Sequence, residues 1–157
     1  MSTDINLKLS ANFRLKEAIS SQTALRLGIN NMPNVEQTTC IVKVAQHILQ
    51  PVRDHFGIPF SPSSWFRCAD LNHQIGSKSN SQHTKGEAVD FEVPGISNLE
   101  VANWIVENLS FDQLILEFWN QAEPNAGWIH CSFVDPSVNR GHAKRFDGKH
   151  YMTGLGG

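Results

Sequence analysis

The spacing of the apolar residues changes after the first third of the chain, and this change limits the fold more than any other feature. Before position 57 they recur at steps of three and four, as on one helical face, most clearly in residues 35–56. After it, residues 88–93, 113–118 and 128–134 have the length and composition of short strands. Helices gathered first and strands later predict an α+β domain, with N-terminal helices packed on a small antiparallel sheet.

Turn and cap signals divide the rest of the chain. We expect a short helix over residues 13–20, short strands over 58–60 and 64–66, a helical turn or two over 69–75, and a helix capped by Asn98 that ends near position 109. Pro51 lies inside the long helical pattern and predicts a kink or a break there. Residues 136–157 are rich in Gly, Lys, Arg and His, and we expect a loop.

Length and charge restrict the class of protein. A chain of 157 residues is long enough for one ordinary domain, which we place at residues 1–157 with its core over about 9–135. The net charge of -2 shows no bulk attraction to nucleic acid or to an anionic membrane, so neither is expected as a partner. Residues 1–8 lack the pattern of a signal peptide, and no apolar run approaches the roughly 20 residues of a membrane span. We therefore expect synthesis in the cytoplasm, reduced cysteines and a monomer.

The segment of residues 81–90, SQHTKGEAVD, carries the most chemical information. His83 ends a polar loop, and Asp90 lies on a strand whose other face is apolar. Gly86 lies between them and can adopt backbone angles that other residues avoid, which would bring His83 beside Asp90. Such a pair supplies two of the roughly three protein ligands that a zinc site needs.

A third ligand is available on the strand over residues 128–134. Alternation places His130 on the face opposite Ile129 and Cys131, so its imidazole can point into the same cleft. Two histidines and one carboxylate suit zinc. The chain contains seven histidines, and the pattern alone leaves open a metal-free domain in which they are incidental.

These residues resemble those of a known family. The pattern Ser81-x-His83-x-x-Gly86-x-Ala88-x-Asp90, followed by Trp128-x-His130, looks like that of the zinc D-alanyl-D-alanine carboxypeptidases of the M15 metallopeptidases. Residues 64–67, SWFR, occupy the place of the family's Ser-Gly-Tyr-Arg, and residues 30–33, NNMP, match an element of the phage and prophage branch. The resemblance covers roughly residues 9–135 and implies the fold shared by D-Ala-D-Ala metallopeptidases and hedgehog-like domains.

The resemblance also implies roles for individual residues. His83, Asp90 and His130 would bind Zn²⁺, and Arg67 would face the substrate, where its guanidinium can polarise a carbonyl or bind a carboxylate. Ser81 and Gln82 would bind the substrate or shape the loop. Of four aromatic residues that are candidates to line the groove (Trp65, Phe66, Trp119 and Trp128), we expect at least half to pack in the core instead.

The general base is where the sequence departs from the family pattern. Many relatives carry an acid three residues before the last histidine, or a histidine two before it, whereas this chain has Gly127 and Trp128. Two carboxylates remain candidates, Glu117 and Glu123. We favour Glu117, because a carboxylate that ends an apolar strand is costly unless it is paired or faces a cleft.

The function implied by the resemblance is hydrolysis of peptide bonds in bacterial peptidoglycan, by a carboxypeptidase or by an endolysin-type endopeptidase. A protein made without a signal peptide would reach the wall after release through membrane pores or on a phage particle. The alternative is a non-catalytic protein of the same fold that binds the cell wall or belongs to a virion, which the missing acid at position 127 favours.

Overall fold

The structure, a computed structural model, describes residues 4–123 and 125–156. The predicted domain of residues 1–157 thus includes positions 1–3, 124 and 157, which lie outside the described residues. Over the described part the elements are α1 (Leu15–Ile19), α2 (Gln22–Leu27), α3 (Val35–Val44), α4 (Gln50–Phe56), α5 (Ala69–Ile75), β1 (Ala88–Phe91), α6 (Asn98–Asn108), β2 (Gln113–Glu117), β3 (Trp128–Ser132), β4 (His142–Phe146) and β5 (Tyr151–Thr153). None of these helices combines the length and the hydropathy that a membrane crossing would require. The predicted α+β class is confirmed.

The long helical pattern forms α3 and α4 with one π-helical turn, Ala45–Leu49, between them. Asn34 begins α3 through a capping box, because its side chain accepts from the N–H of Gln37 while the Gln37 side chain accepts from the N–H of Asn34. The N–H of Gln50 donates to the carbonyl of Ala45, five residues earlier, directly before Pro51. The interruption predicted at Pro51 therefore takes the form of a π turn, which accommodates a residue that has no N–H to donate.

The sheet has five strands in the order β1-β3-β2-β4-β5. The pairs β1–β3, β2–β3 and β4–β5 are antiparallel, whereas β2 and β4 are parallel. The predicted antiparallel sheet is thus correct for β1, β2 and β3, but the whole sheet is larger and mixed. The predicted loop over residues 136–157 is wrong, since it contains β4 and β5. After β3 the chain returns past β2 and pairs with its free edge in the same direction.

The helices cover one face of this sheet. Val89, Leu114 and Cys131 point into the core, where they join Ile41, Ile48 and Ile105 from the helices. Alternation turns the neighbouring residues to the other face, which we call the cleft face. Two rows of paired residues cross it: Asp90, His130, Ile115, Lys144 and Thr153 form the first, and Trp128, Glu117, Phe146 and Tyr151 form the second.

Two local expectations need correction. Residues 58–60 form no strand, and Ser64 makes only an isolated bridge to Asp90, because the prolines at 59 and 62 withhold N–H groups from a ladder. The cap of α6 is Ser97, whose hydroxyl accepts from the N–H of Glu100 at 3.1 Å. Asn98 is the first helical residue, and its buried amide donates instead to the carbonyl oxygens of Ala126 and Gly127.

Candidate metal centre

His83 reaches the sheet through a tight local turn. It lies in a 3-10 turn, Gln82–Lys85, that Ser81 caps by accepting from the N–H of His83 at 3.3 Å. Gly86 ends the turn at φ +79°, and a Cβ there would lie 2.6 Å from the carbonyl oxygen of Gln37. Only glycine fits both conditions, so Gly86 has the conformation expected from the sequence. The chain then enters β1, which brings Asp90 back beside His83.

The side chains of His83, Asp90 and His130 converge on the cleft face. Nε2 of His83 lies 3.3 Å from Oδ2 of Asp90, and Nδ1 of His130 lies 2.9 Å from Oδ1 of the same carboxylate. Asp90 and His130 are direct partners in the β1–β3 register, so the sheet itself fixes their separation. Each of the three residues offers one ligand atom, and the three atoms lie within 4.8 Å of one another. The group could therefore hold a metal ion.

The tautomer of His83 agrees with ligation. Its Nδ1 lies 2.6 Å from the carbonyl oxygen of Trp65, and since a carbonyl accepts, Nδ1 donates and Nε2 keeps its lone pair. That lone pair and the Asp90 carboxylate then face each other, an arrangement that is favourable only with a proton or a cation between them. A histidine ligand whose other nitrogen donates to a carbonyl is the usual support of a metal site. Two imidazoles and one carboxylate match the donors of catalytic zinc sites.

Asp90 is held as a carboxylate. Burial alone would raise its pKa, but the close contacts of its two oxygens with the imidazoles of His130 and His83 outweigh burial and hold the pKa well below its usual range. Its side chain is only 14% exposed. A buried carboxylate of this kind carries its negative charge throughout the pH range in which metal ligation is useful.

Glu117 lies beside this group on the neighbouring strand. On β2, Glu117 follows Ile115 by two residues; Ile115 pairs with His130, and Glu117 pairs with Trp128. Residues two apart on a strand share a face, so the carboxylate of Glu117 faces the cleft. Burial raises the pKa of Glu117, and the charge of Asp90 adds to this effect, whereas the charges of His130 and Lys144 act in the opposite direction. Among the described residues that line the cleft Glu117 is present and Glu123 is not, since Glu123 is exposed on the following loop.

Position 127 has no room for an acid. Gly127 adopts φ +73°, and a Cβ there would lie 1.8 Å from the carbonyl oxygen of Glu117. The departure from the family pattern noted in the sequence thus has a structural counterpart, because the close approach of the two backbones replaces a side chain.

Arg67 borders the same cleft from the other side. Its backbone N–H donates to the carbonyl of His83 at 3.2 Å, which ties the two residues together. Burial lowers the pKa of the guanidinium, and the charge of Asp90 opposes that effect. The buried Nε of Arg67 has no hydrogen-bond partner among the described residues. An unsatisfied buried donor is costly, and this one lies in a residue of the cleft wall.

Ser81 and Gln82 line the cleft but also hold the loop in place. The Ser81 carbonyl accepts from the hydroxyl of Thr84 at 2.6 Å, in addition to the cap described above. The Gln82 amide donates to Oδ2 of Asp112 at 3.0 Å. Each therefore has a structural partner within the chain.

The partner of Asp112 could not be predicted from the sequence. Arg140 donates from Nε and its backbone N–H to Oδ1, each at 3.0 Å, and from a terminal nitrogen to Oδ2 at 2.8 Å. These bonds, led by that of the Arg140 side chain, lower the pKa of Asp112 to about 2. A bidentate pair needs two residues brought together by the fold, and Arg140 lies in the segment predicted as loop. Gln82 thereby connects this pair to the turn that carries His83.

The cleft has a volume of about 540 Å³. Besides the residues above, its walls include Gln113, Trp128 and, from β5, Tyr151. Trp65 and Phe66 are buried in the core, as expected of at least half of the four aromatic candidates, and Trp119 packs partly buried against the core. The sequence analysis did not predict Tyr151 as a residue of the cleft, because the segment that carries it was predicted to be a loop.

Comparison with known proteins gives one family. A family model described as Peptidase M15 matches residues 11–132, a span that contains His83, Asp90, His130 and Glu117 and ends with β3. The strands β4 and β5 lie outside it. No curated protein matches the sequence.

Proposed function

Because the chain belongs to the M15 peptidase family, we propose that it is a zinc-dependent peptidase that hydrolyses peptide bonds of bacterial peptidoglycan. The observation that carries the proposal is the convergence of His83, Asp90 and His130, from three separate positions in the sequence, beside a cleft-facing Glu117. This arrangement combines a site for a Lewis acid with a separate carboxylate that is free to exchange a proton.

Zinc would be held by Nε2 of His83, Nδ1 of His130 and a carboxylate oxygen of Asp90. When bound, it would supply a Lewis acid that makes water more acidic and polarises a carbonyl. The carbonyl of Trp65 fixes the tautomer of His83, and the pairing of β1 with β3 places Asp90 beside His130. Three protein ligands leave a coordination position for water or substrate, as catalytic sites require.

Glu117 would act as the general base. It lies outside the group of ligand atoms, its carboxylate faces the cleft, and its raised pKa brings it closer to the pH at which proton exchange is effective. It would take a proton from the attacking water and deliver a proton to the leaving amine. The peptide C–N bond breaks, and the products are a carboxylate and an amine.

Arg67 would bind the oxygen on which negative charge develops, or a carboxylate of the substrate. The position of Arg67 in the cleft wall, beside His83, supports this role. A guanidinium remains charged even when burial lowers its pKa, because that pKa is otherwise far above neutrality. Ser81 and Gln82 would contribute to substrate binding from the loop above the metal ligands.

The substrate class and the biological setting rest on the family resemblance. Stem peptides and cross-links of peptidoglycan contain D-amino acids, and the proposal includes both a carboxypeptidase that removes a terminal D-alanine and an endopeptidase. We further propose that the protein acts on the wall as a phage lysin or on a phage particle. The resemblance of residues 30–33 to the phage and prophage branch supports this setting.

The test is incubation of purified peptidoglycan with the zinc-loaded protein, followed by mass spectrometry of the released fragments. We expect new peptide termini from one type of bond, and loss of release in the metal-free protein. Zinc content below about one tenth of an equivalent after gentle purification, with none taken up on addition, would sink the proposal.

The variant Glu117→Gln separates catalysis from binding alone. For a peptidase that uses Glu117, zinc content should persist while hydrolysis falls by about a hundredfold or more. Glu123→Gln is the matched variant and should retain activity; the reverse result would move the base to Glu123. Zinc binding and wall binding without hydrolysis in the wild type would instead identify the non-catalytic protein that the glycine at position 127 favours.

A further inference from the structure

The hairpin of β4 and β5 adds a wall to the cleft that the family match does not include. The match ends at residue 132, whereas Tyr151 on β5 is among the residues that line the cleft with His130 and Glu117. The two rows of the cleft face explain this placement. Glu117 pairs with Phe146, and Phe146 pairs with Tyr151, so the three side chains point to the same side of the sheet.

Tyr151 is an exposed ring that stacks on a neighbouring aromatic side chain. It is 58% exposed, and it stacks on Phe146 with the ring centroids 4.4 Å apart. The ring centroids of Phe146 and Phe118 are 5.3 Å apart, and those of Phe118 and Trp128 are 5.2 Å apart. A continuous set of aromatic rings therefore leads from Trp128, which also lines the cleft, to Tyr151. A rigid exposed ring of this kind binds the apolar part of a ligand at low entropic cost.

Lys144 adds a positive charge at the same place. It lies in the row of Asp90 and His130, and its ammonium group is 4.4 Å from the centre of the Tyr151 ring. Among the described residues the ion pairs involve Asp90, Asp112 and Asp147, and Lys144 takes part in none of them. Its charge is therefore available to an anionic group that lies against Tyr151.

The topology gives the distance from this position to the reacting bond. Adjacent strands lie about 4.8 Å apart, so β5 is about 10 Å from β2, which carries Glu117, and about 14 Å from β3, which carries His130. An extended peptide spans about 3.3–3.6 Å per residue. The separation corresponds to three or four residues of substrate.

We propose that the β4–β5 hairpin forms a substrate subsite, in which Tyr151 packs against the peptide and Lys144 pairs with a carboxylate that the peptide carries three or four residues from the bond that is cut. The inference rests on the proposed function and makes it more specific. The preferred substrate is an acidic peptide of at least about five residues rather than a dipeptide. Binding energy from this remote contact would position the scissile bond, so that shortened substrates react more slowly.

The experiment compares peptides of two lengths that contain the bond identified in the peptidoglycan digest. The short peptide has one residue on each side of that bond. The long peptides extend it by four residues on either side and carry Glu or Gln at the third or fourth position from the bond. The quantity measured is kcat/KM, at a pH at which Glu117 is deprotonated in every variant, for zinc-loaded wild type, Lys144→Ala, Tyr151→Ala, Tyr151→Phe and Lys149→Ala. Lys149 is an exposed lysine in the turn of the same hairpin and serves as the matched control.

We expect wild type to prefer a long Glu peptide over its Gln counterpart by about tenfold, and Lys144→Ala to lose that preference. Tyr151→Ala should lower kcat/KM for long peptides and leave the short peptide unchanged, whereas Tyr151→Phe, which keeps the ring, should resemble wild type. Lys149→Ala should also resemble wild type. Activity on the short peptide shows that each variant is folded.

Two results would overturn the subsite while leaving the peptidase intact: equal rates for Glu and Gln peptides in wild type, or equal losses on short and long peptides in the variants. A wild type that cleaves no peptide and no peptidoglycan overturns the proposed function itself, and the subsite with it.

Discussion

The carbonyl oxygen of Glu117 lies where a side chain on Gly127 would begin. A Cβ at position 127 would be 1.8 Å from that oxygen, and the glycine adopts φ +73°. The close approach brings the end of β2 against the start of β3, where Glu117 pairs with Trp128. The position at which the family resemblance leads us to expect an acid is thus occupied by a glycine whose backbone packs against that of Glu117.

Gly127→Ala should therefore destabilise the protein strongly. The positive φ alone costs about 1–2 kcal/mol for a residue with a Cβ, and displacement of the Glu117 backbone adds to that cost. Gly95→Ala is the matched control, because Gly95 has φ +82° with nothing within 4 Å of its Cβ position. Thermal unfolding of both variants measures the difference. Equal losses of stability would show that the contact with Glu117 has no energetic weight.

Asp90→Ala should remove the stabilisation that zinc provides. A ligand present at about a hundred times its Kd stabilises the folded state by about 2.7 kcal/mol, and the loss of one of three protein ligands should abolish most of this effect. The measurement is the unfolding midpoint with zinc and with chelator, for the variant and for Glu107→Ala, an exposed carboxylate on α6. A variant at position 90 that still gains stability from zinc as the wild type does would argue against a shared site.

Most of the helices could be predicted from the sequence because each depends on a local pattern, although α2 was not predicted. Apolar spacing predicted the helical stretch of α3 and α4, and the helical turn or two expected over residues 69–75 corresponds to α5. Strand alternation placed Asp90 and His130 each on the face opposite its apolar neighbours. The strands in residues 136–157 could not be predicted from a local pattern. Strand β4, HAKRF, is half-exposed next to the edge strand β5, and its pairing with β2 is set by a partner distant in sequence.

The ion pair that supports the site could not be predicted from the sequence either, because its two residues are distant in the chain. Asp112 and Arg140 are 28 residues apart, and neither belongs to a motif. The close approach of Gly127 to the backbone of Glu117 could not be predicted either. Glycine is common in loops, and only the fold shows which backbone a given glycine approaches. Side chains at the end of a strand are placed by the register of the sheet, which a single sequence specifies weakly near turns.

The pH dependence of hydrolysis should report on Glu117. A general base must be deprotonated, so activity should fall as pH decreases through its pKa, and burial raises that pKa above the usual value for Glu. The charge of Lys144 lowers the same pKa, so Lys144→Ala should move the acid limb of the profile to higher pH. The profile of kcat/KM against pH on a short peptide measures this shift, with Lys149→Ala as the control. A shift in the opposite direction would contradict the assignment of Glu117 as the base.

The Asp112–Arg140 pair should make folding stability sensitive to acid. The folded-state pKa of Asp112 is lowered to about 2, below its ordinary value of 3.8, so the pair stabilises the protein above about pH 4 and the stabilisation is lost as pH falls towards 2. The difference of the two pKa values corresponds to at most about 2 kcal/mol. The Asp112 side chain is only 6% exposed, but that of Arg140 is 50% exposed, so solvent screening reduces this contribution. Arg140→Ala should therefore lower the free energy of unfolding at pH 7 by about 1–2 kcal/mol, because a buried carboxylate loses its partner. At pH 2.5 wild type and variant should differ by less, and Arg140→Lys, which keeps the charge but not the bidentate geometry, should lie between them. Urea unfolding at pH 7 and at pH 2.5 measures the free energy of unfolding of each variant. A difference between wild type and Arg140→Ala that is the same at both pH values would mean that the arginine acts through packing rather than through its charge.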